Sequence, residues 1–150
     1  MTDTIIGGAI AAVLGAVGGA ITGVWLERRR EIAKRLTMVE AILTETVENL
    51  TICGSPKMRI MWWLSPFKLE AYHAYKGQLL FLGHTILTQL IAAALVMEGE
   101  NIIIQTHQSR EGFGQPVDKE AKPIPEYLTK QLEFVKDELI KWRRKHYGLP

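Results

Sequence analysis

The chain has 150 residues, with 18 Lys and Arg against 16 Asp and Glu for a net charge of +2, and a single cysteine. That length holds one modest folded body beside one apolar anchor, but not two cores. Nearly balanced charge supplies no field of the kind that grips nucleic acid, and a lone thiol excludes an intramolecular disulfide, in keeping with a reducing compartment.

The first element is the run from Thr4 to Leu26, which carries no charged side chain between Asp3 and Glu27. As a helix rising ~1.5 Å per residue it reaches about 34 Å, enough to cross a hydrocarbon core of roughly 30 Å. The reading is an N-terminal transmembrane helix over residues 1–26. Gly7, Ala11, Gly15, Gly19 and Gly23 recur at every fourth position, and Gly8, Ala12, Ala16 and Ala20 form a second ribbon beside them. Lipid gives helices no hydrophobic reason to meet, so association depends on the close backbone approach that such small residues allow. These positions are the expected helix-packing surface, and two adjoining ribbons favour a ring of copies over a simple dimer.

Glu27, Arg28, Arg29, Arg30, Glu31, Lys34 and Arg35 follow at once, whereas the N-terminal flank has only Asp3. Excess Arg and Lys marks the cytoplasmic side, so the expected topology is N-terminus out, with Trp25 at the inner interface and residues 27–150 in the cytoplasm of a bacterial inner membrane. A cleaved signal peptide is the competing reading. It requires a basic start and a shorter apolar core than this chain has.

Glu27 to Thr51 holds no Pro or Gly, and Ile32, Leu36, Val39, Leu43, Val47 and Leu50 fall at helical spacing, with Glu40, Glu45 and Glu48 mostly elsewhere. Nothing breaks the chain between the span and this stretch, so one rod is expected, stopped by Cys53-Gly54-Ser55-Pro56. Cys53 reads as a small buried thiol. Asn49-Leu50-Thr51 has the form of a glycan acceptor that a cytoplasmic location would leave unused.

Met58 to Leu64 is the most aromatic apolar patch outside the span; Trp62 and Trp63, with Phe67 shortly after, read as core or subunit-interface aromatics, with membrane contact as the alternative for the tryptophans. Ser65-Pro66 then has the form of a helix start. From Gly77 to Met97 there is again no charge, which raises a second span, but His84, Thr85, Thr88 and Gln89 stripe it with polar groups suited to a bundle surface. Glu98-Gly99-Glu100-Asn101 is expected to interrupt the run before Ile102-Ile103-Ile104, and 109–122 is expected to be a mobile loop. A last helix runs from Glu126 to about Tyr147, with Leu128, Leu132, Val135, Leu139 and Trp142 as its stripe. The fold class is therefore all-α, one spanning helix continuing into a cytoplasmic bundle.

The single span, the basic collar, a helix ending near Gly-Ser-Pro, Leu64-Ser65-Pro66 ahead of a helix with Ala71-Tyr72, and the later Asn101 together resemble the CRISPR-associated accessory membrane-pore proteins, which have a HEPN-like cytoplasmic helical bundle. That resemblance, one of layout, implies oligomerisation into a channel that depolarises the inner membrane in antiviral defence. The HEPN ribonuclease pattern of Arg followed four to six residues later by His does not occur: His73, His84 and His107 have no Arg at that spacing, and Arg143 lies three before His146.

Other chemistry is sparse. Glu70 and His73 have the i, i+3 spacing of di-metal bundles without the second Glu-x-x-His such sites use, and the chain has no phosphate-cradling Gly loop or nucleophile elbow. Lys141 to His146 reads as a solvated basic helix end, with anionic lipid or nucleic acid as the alternative partner. The expectation is a non-enzymatic protein with no cofactor or metal, whose partners are lipid and further copies of itself. It forms or gates a membrane pore; the alternative is a non-conducting anchored adaptor that shows its bundle to a cytoplasmic protein.

Overall fold

A computed structural model describes residues 2–54, 66–114 and 124–148, with backbone alone for 2–14, 16 and 17. Among these residues every regular element is helical. Helix α1 spans Thr2–Gly54 without a break, as the uninterrupted sequence between span and collar requires. The chain divides into two compact units, residues 1–37 and 38–150.

In the first unit the described side chains are nearly all exposed, with Ile21, Val24, Trp25 and Leu26 uncovered. Thr22 returns its hydroxyl to Gly18 O at 2.7 Å, a bond within the helix.

The second unit is a helical bundle. Its elements are α1 from Met38 onward, the short α2 (Glu70–Tyr75), a 3-10 segment (Lys76–Leu82), α3 (His84–Gly112) and α4 (Glu126–Tyr147). One apolar core joins Met38, Val39 and Ile42 of α1 to Tyr72, Leu79, Leu90, Ala93 and Met97, and to Leu128, Leu132, Val135 and Leu139 of α4. Each of these buried leucines contributes on the order of 2 kcal/mol by leaving water. The α4 stripe lies where its periodicity puts it, and the helix ends at Gly148, whose φ of +62° places it in the left-handed region as its N–H bonds Arg144 O at 3.0 Å.

The buried arc of α1 is only partly the expected one. Val39 and Leu43 are buried and Leu50 packs against the core as expected, but Ile32 and Val47 are exposed, while Glu45, Thr46 and Asn49 face inward with Ile42 and Cys53. Polar partners waiting inside, described below, outweigh the apolar count. Cys53 is buried, as read. Asn49 is 1% exposed, which closes it to any glycan on steric grounds.

Three expectations for the middle of the chain are corrected. Pro66 does not open a helix: Pro66–Leu69 is irregular and helix begins at Glu70, because the backbone groups of Phe67 and Lys68 are engaged by side chains of other helices. The charge-free stretch 77–97 is not one helix, since the 3-10 segment ends at Gly83 (φ +86°) and α3 starts afresh at His84. Glu98–Asn101 does not interrupt α3, which continues through Gly99 to Gly112, four residues into the expected loop. Phe113 and Gly114 form a turn after it, and residues 115–122 of that loop, together with Trp62 and Trp63, lie outside the described residues.

By length and apolar content α3 is able to cross a membrane. In the bundle its Ile86, Leu90, Ala93, Ala94, Met97 and Ile104 are buried, and the expected polar residues His84, Thr85 and Thr88 are on the surface.

Candidate functional site

The segment between α1 and α2 is held by a clasp of three buried or half-buried polar side chains from two helices. Asn49 of α1 donates from Nδ2 to Lys68 O and accepts Lys68 N–H at Oδ1, both at 2.8 Å. Asn101 of α3 does the same to the neighbouring residue, donating to Phe67 O at 2.8 Å and accepting Phe67 N–H at 2.7 Å. Each carboxamide thus mimics one rung of a sheet ladder, satisfying backbone groups that the absence of helix leaves open. Phe67 itself is buried in the core, in agreement with its reading as a core aromatic.

One helical turn before Asn49, Glu45 closes the clasp. Its two carboxylate oxygens accept the N–H groups of Ala71 (2.6 Å) and Tyr72 (3.1 Å), orphan donors in the first turn of α2. Burial raises the Glu45 pKa above its ordinary value; the two N–H bonds lower it in part, nearby Glu70 raises it and His73 lowers it. The Tyr72 hydroxyl is pushed up by burial and by Glu98.

Beside the clasp opens a shallow cleft of about 310 Å³ lined by Phe67, Leu69, Glu70, His73, Glu98, Asn101, Ile102 and Gln105. Several of its polar groups have partners: His73 Nε2 lies 3.4 Å from Glu98 Oε1, and Glu70 Oε2 accepts Leu69 N–H at 3.2 Å. Glu70 and His73, the pair singled out by spacing, do share this cleft. Among the described residues no three His, Cys, Asp or Glu side chains gather to hold a metal ion, and no serine, cysteine or lysine lines the cleft to act as a nucleophile.

The far end of α4 forms a second polar feature. Trp142 packs between Phe81 (5.3 Å between ring centroids) and His146 (4.6 Å), while Arg144 and Lys145 are exposed. Arg143 reaches α1, its Nη1 3.1 Å from Glu40 Oε1.

The helix-packing residues of the sequence reading all lie on α1. Around Gly15, Gly19 and Gly23 an added methyl would meet nothing within 4 Å, and Ala20 is exposed. The surroundings of Gly7, Gly8, Ala11, Ala12 and Ala16 lie outside what is described. Of the collar, Arg28, Arg30 and Lys34 are exposed; Arg29 lies over the Trp25 ring at 4.1 Å from its centroid, and Arg35 Nε meets Glu31 Oε1 at 3.0 Å. Comparison with protein-family models, curated proteins and solved structures finds no match for this chain.

Proposed function

We propose that the chain is a single-span membrane protein whose N-terminal helix associates with further copies of itself, and that the assembly forms or gates a pore in the bacterial inner membrane, with the bundle on the cytoplasmic side. The observation that carries this reading is a charge-free helical run from Thr4 to Leu26 whose described glycines and aliphatic side chains have no protein cover. Bare apolar helix of that length requires lipid, another helix, or both. Arg29 stacked on Trp25 supports the placement of the inner boundary, since an aromatic body with a cation beyond it suits the headgroup layer. As layout, the likeness to defence-associated pore proteins points the same way and extends the proposal to an effector that depolarises its host membrane.

Replacing Gly15 and Gly19 together by Ile tests it. The detergent-extracted particle should fall from an oligomer to a single copy, and the conductance of the wild-type protein in a planar bilayer should disappear. Particles of unchanged size would end the claim for the ribbons, and wild-type protein without current would end the claim for a pore.

A second reading is a non-conducting anchored adaptor for a cytoplasmic protein, favoured by the exposed basic end of α4 around Arg144 and Lys145. On that reading the glycine substitutions leave partner capture intact, while Arg144→Glu with Lys145→Glu abolishes it.

A further inference from the structure

Helix α3 is uncharged on two opposite faces. One face, with Leu90, Ala93 and Met97, is consumed by the core; the other carries Thr88, Ile91, Leu95, Ile102, Thr106 and Ser109, with Gly99 near its middle. Successive positions turn by about 100°, so these residues fall within an arc of roughly 80°. None of them is charged. Leu95 is 62% exposed and Ile102 65%, and Phe113 at the helix end is 84% exposed. This face belongs wholly to the bundle and is separate from the glycine ribbons of α1.

We infer that this face of α3 is an interface with a second copy of the chain, the two α3 helices crossing antiparallel about a two-fold axis that passes between Glu98 and Gly99. The stripe is self-complementary about that point. Leu95 meets the other copy's Ile102 and Ile102 meets its Leu95; Ile91 meets Thr106; Thr88 meets Ser109, hydroxyl to hydroxyl. A two-fold interface demands this reciprocity, in which residue i touches j and j touches i. Gly99 at the crossing removes the side chain where the backbones come closest, and an added methyl there has open space in the single copy.

Charge and area agree. Glu98, the acidic group nearest the axis, is drawn to the flank by His73 at 3.4 Å, so the two carboxylates need not face each other across the contact. Ile91, Leu95, Ile102 and Phe113 expose on the order of 500 Å² per copy, so complete cover would bury at most about 1,000 Å² for the pair, the lower bound for a specific interface. Lipid is the competing cover, since α3 has the length and apolar content to meet it.

Cysteine cross-linking of the full-length protein in detergent and in vesicles distinguishes these. A Leu95→Cys, Ile102→Cys double variant should give a disulfide-linked dimer on oxidation. Within one chain these positions are two helical turns apart, about 10 Å, too far to bridge. Leu95→Cys alone should stay unlinked, because in the antiparallel pair its copies lie about as far apart; that single variant also controls for Cys53, which is buried. The double-variant link should persist when Gly15 and Gly19 are both Ile, so failure of the ribbon proposal and failure of this one are separate results. A linked dimer from Leu95→Cys alone would overturn the antiparallel pair in favour of parallel helices. Absence of any link, with a fluorophore at position 95 quenched by a bilayer-borne quencher, would overturn it in favour of lipid.

Discussion

Asn49 and Lys68, nineteen residues apart, are joined by two reciprocal 2.8 Å hydrogen bonds between one side-chain amide and one backbone unit. Asn49→Ala leaves both the N–H and the C=O of Lys68 without their partner in a largely dry setting, and should cost about 2–3 kcal/mol. Asn49→Asp keeps the acceptor, loses the donor and buries a charge, and should cost at least as much. Thermal or denaturant unfolding of the detergent-solubilised chain measures both; an Asn49→Ala protein as stable as wild type would show that the clasp contributes nothing.

Asn101 grips the adjacent residue, so the two amides share one piece of backbone. Asn49→Ala and Asn101→Ala should therefore be less damaging together than the sum of the singles, with a coupling of about 0.5–2 kcal/mol in a double-mutant cycle. Strict additivity would mean that Phe67 and Lys68 are held independently.

Glu45 titrates in a definite direction. Burial holds its folded pKa above the unfolded value, so the folded state retains the proton to higher pH than the unfolded one. Its contribution to stability is thus most favourable below the unfolded value and diminishes as pH rises toward the folded one, after which it is level. Glu45→Gln removes this dependence, and the wild-type minus Glu45→Gln stability difference should decline across that window. A difference that rises with pH there would mean the two N–H bonds outweigh the burial.

The buried arc of α1 is tested by two aliphatic truncations. Ile42 is buried and Val47 exposed, so Ile42→Ala should cost about 2–5 kcal/mol and Val47→Ala no more than about 0.5. Comparable costs would restore the arc expected from periodicity.

Arg143 and Glu40, from α4 and α1, lie 3.1 Å apart with the carboxylate partly in solvent. Their coupling should be about 0.5–1 kcal/mol and should weaken as salt is raised from 0.05 to about 0.5 M. Salt-independent coupling would indicate a drier pair than the geometry implies.

How far the sequence could be read follows from what fixed each element. Helix α4 was legible because Leu128, Leu132, Val135 and Leu139 alternate with charge, and local patterning alone decides which side is buried. The unbroken α1 was legible from the lack of any Gly or Pro between the collar and Cys53. The polar part of the α1 arc and the start of α2 were not, because Glu45 and Asn49 look solvent-facing until their partners, Ala71, Tyr72 and Lys68, are brought in from 19 to 27 residues away. Similarly, Glu98-Gly99-Glu100-Asn101 has the composition of a turn, and what keeps it helical includes the bond from Asn101 to Phe67. Local signals carry the helices, whereas the clasp is a product of distant pairing.

Because the two asparagines hold main-chain atoms only, they are indifferent to which side chain stands at position 68. The lysine there can drift to almost any residue without loosening the grip, while the amides that hold it cannot change. Proline is barred at both 67 and 68, since it would arrive without the N–H that each asparagine receives, whereas at 67 burial in the core restricts the side chain as well.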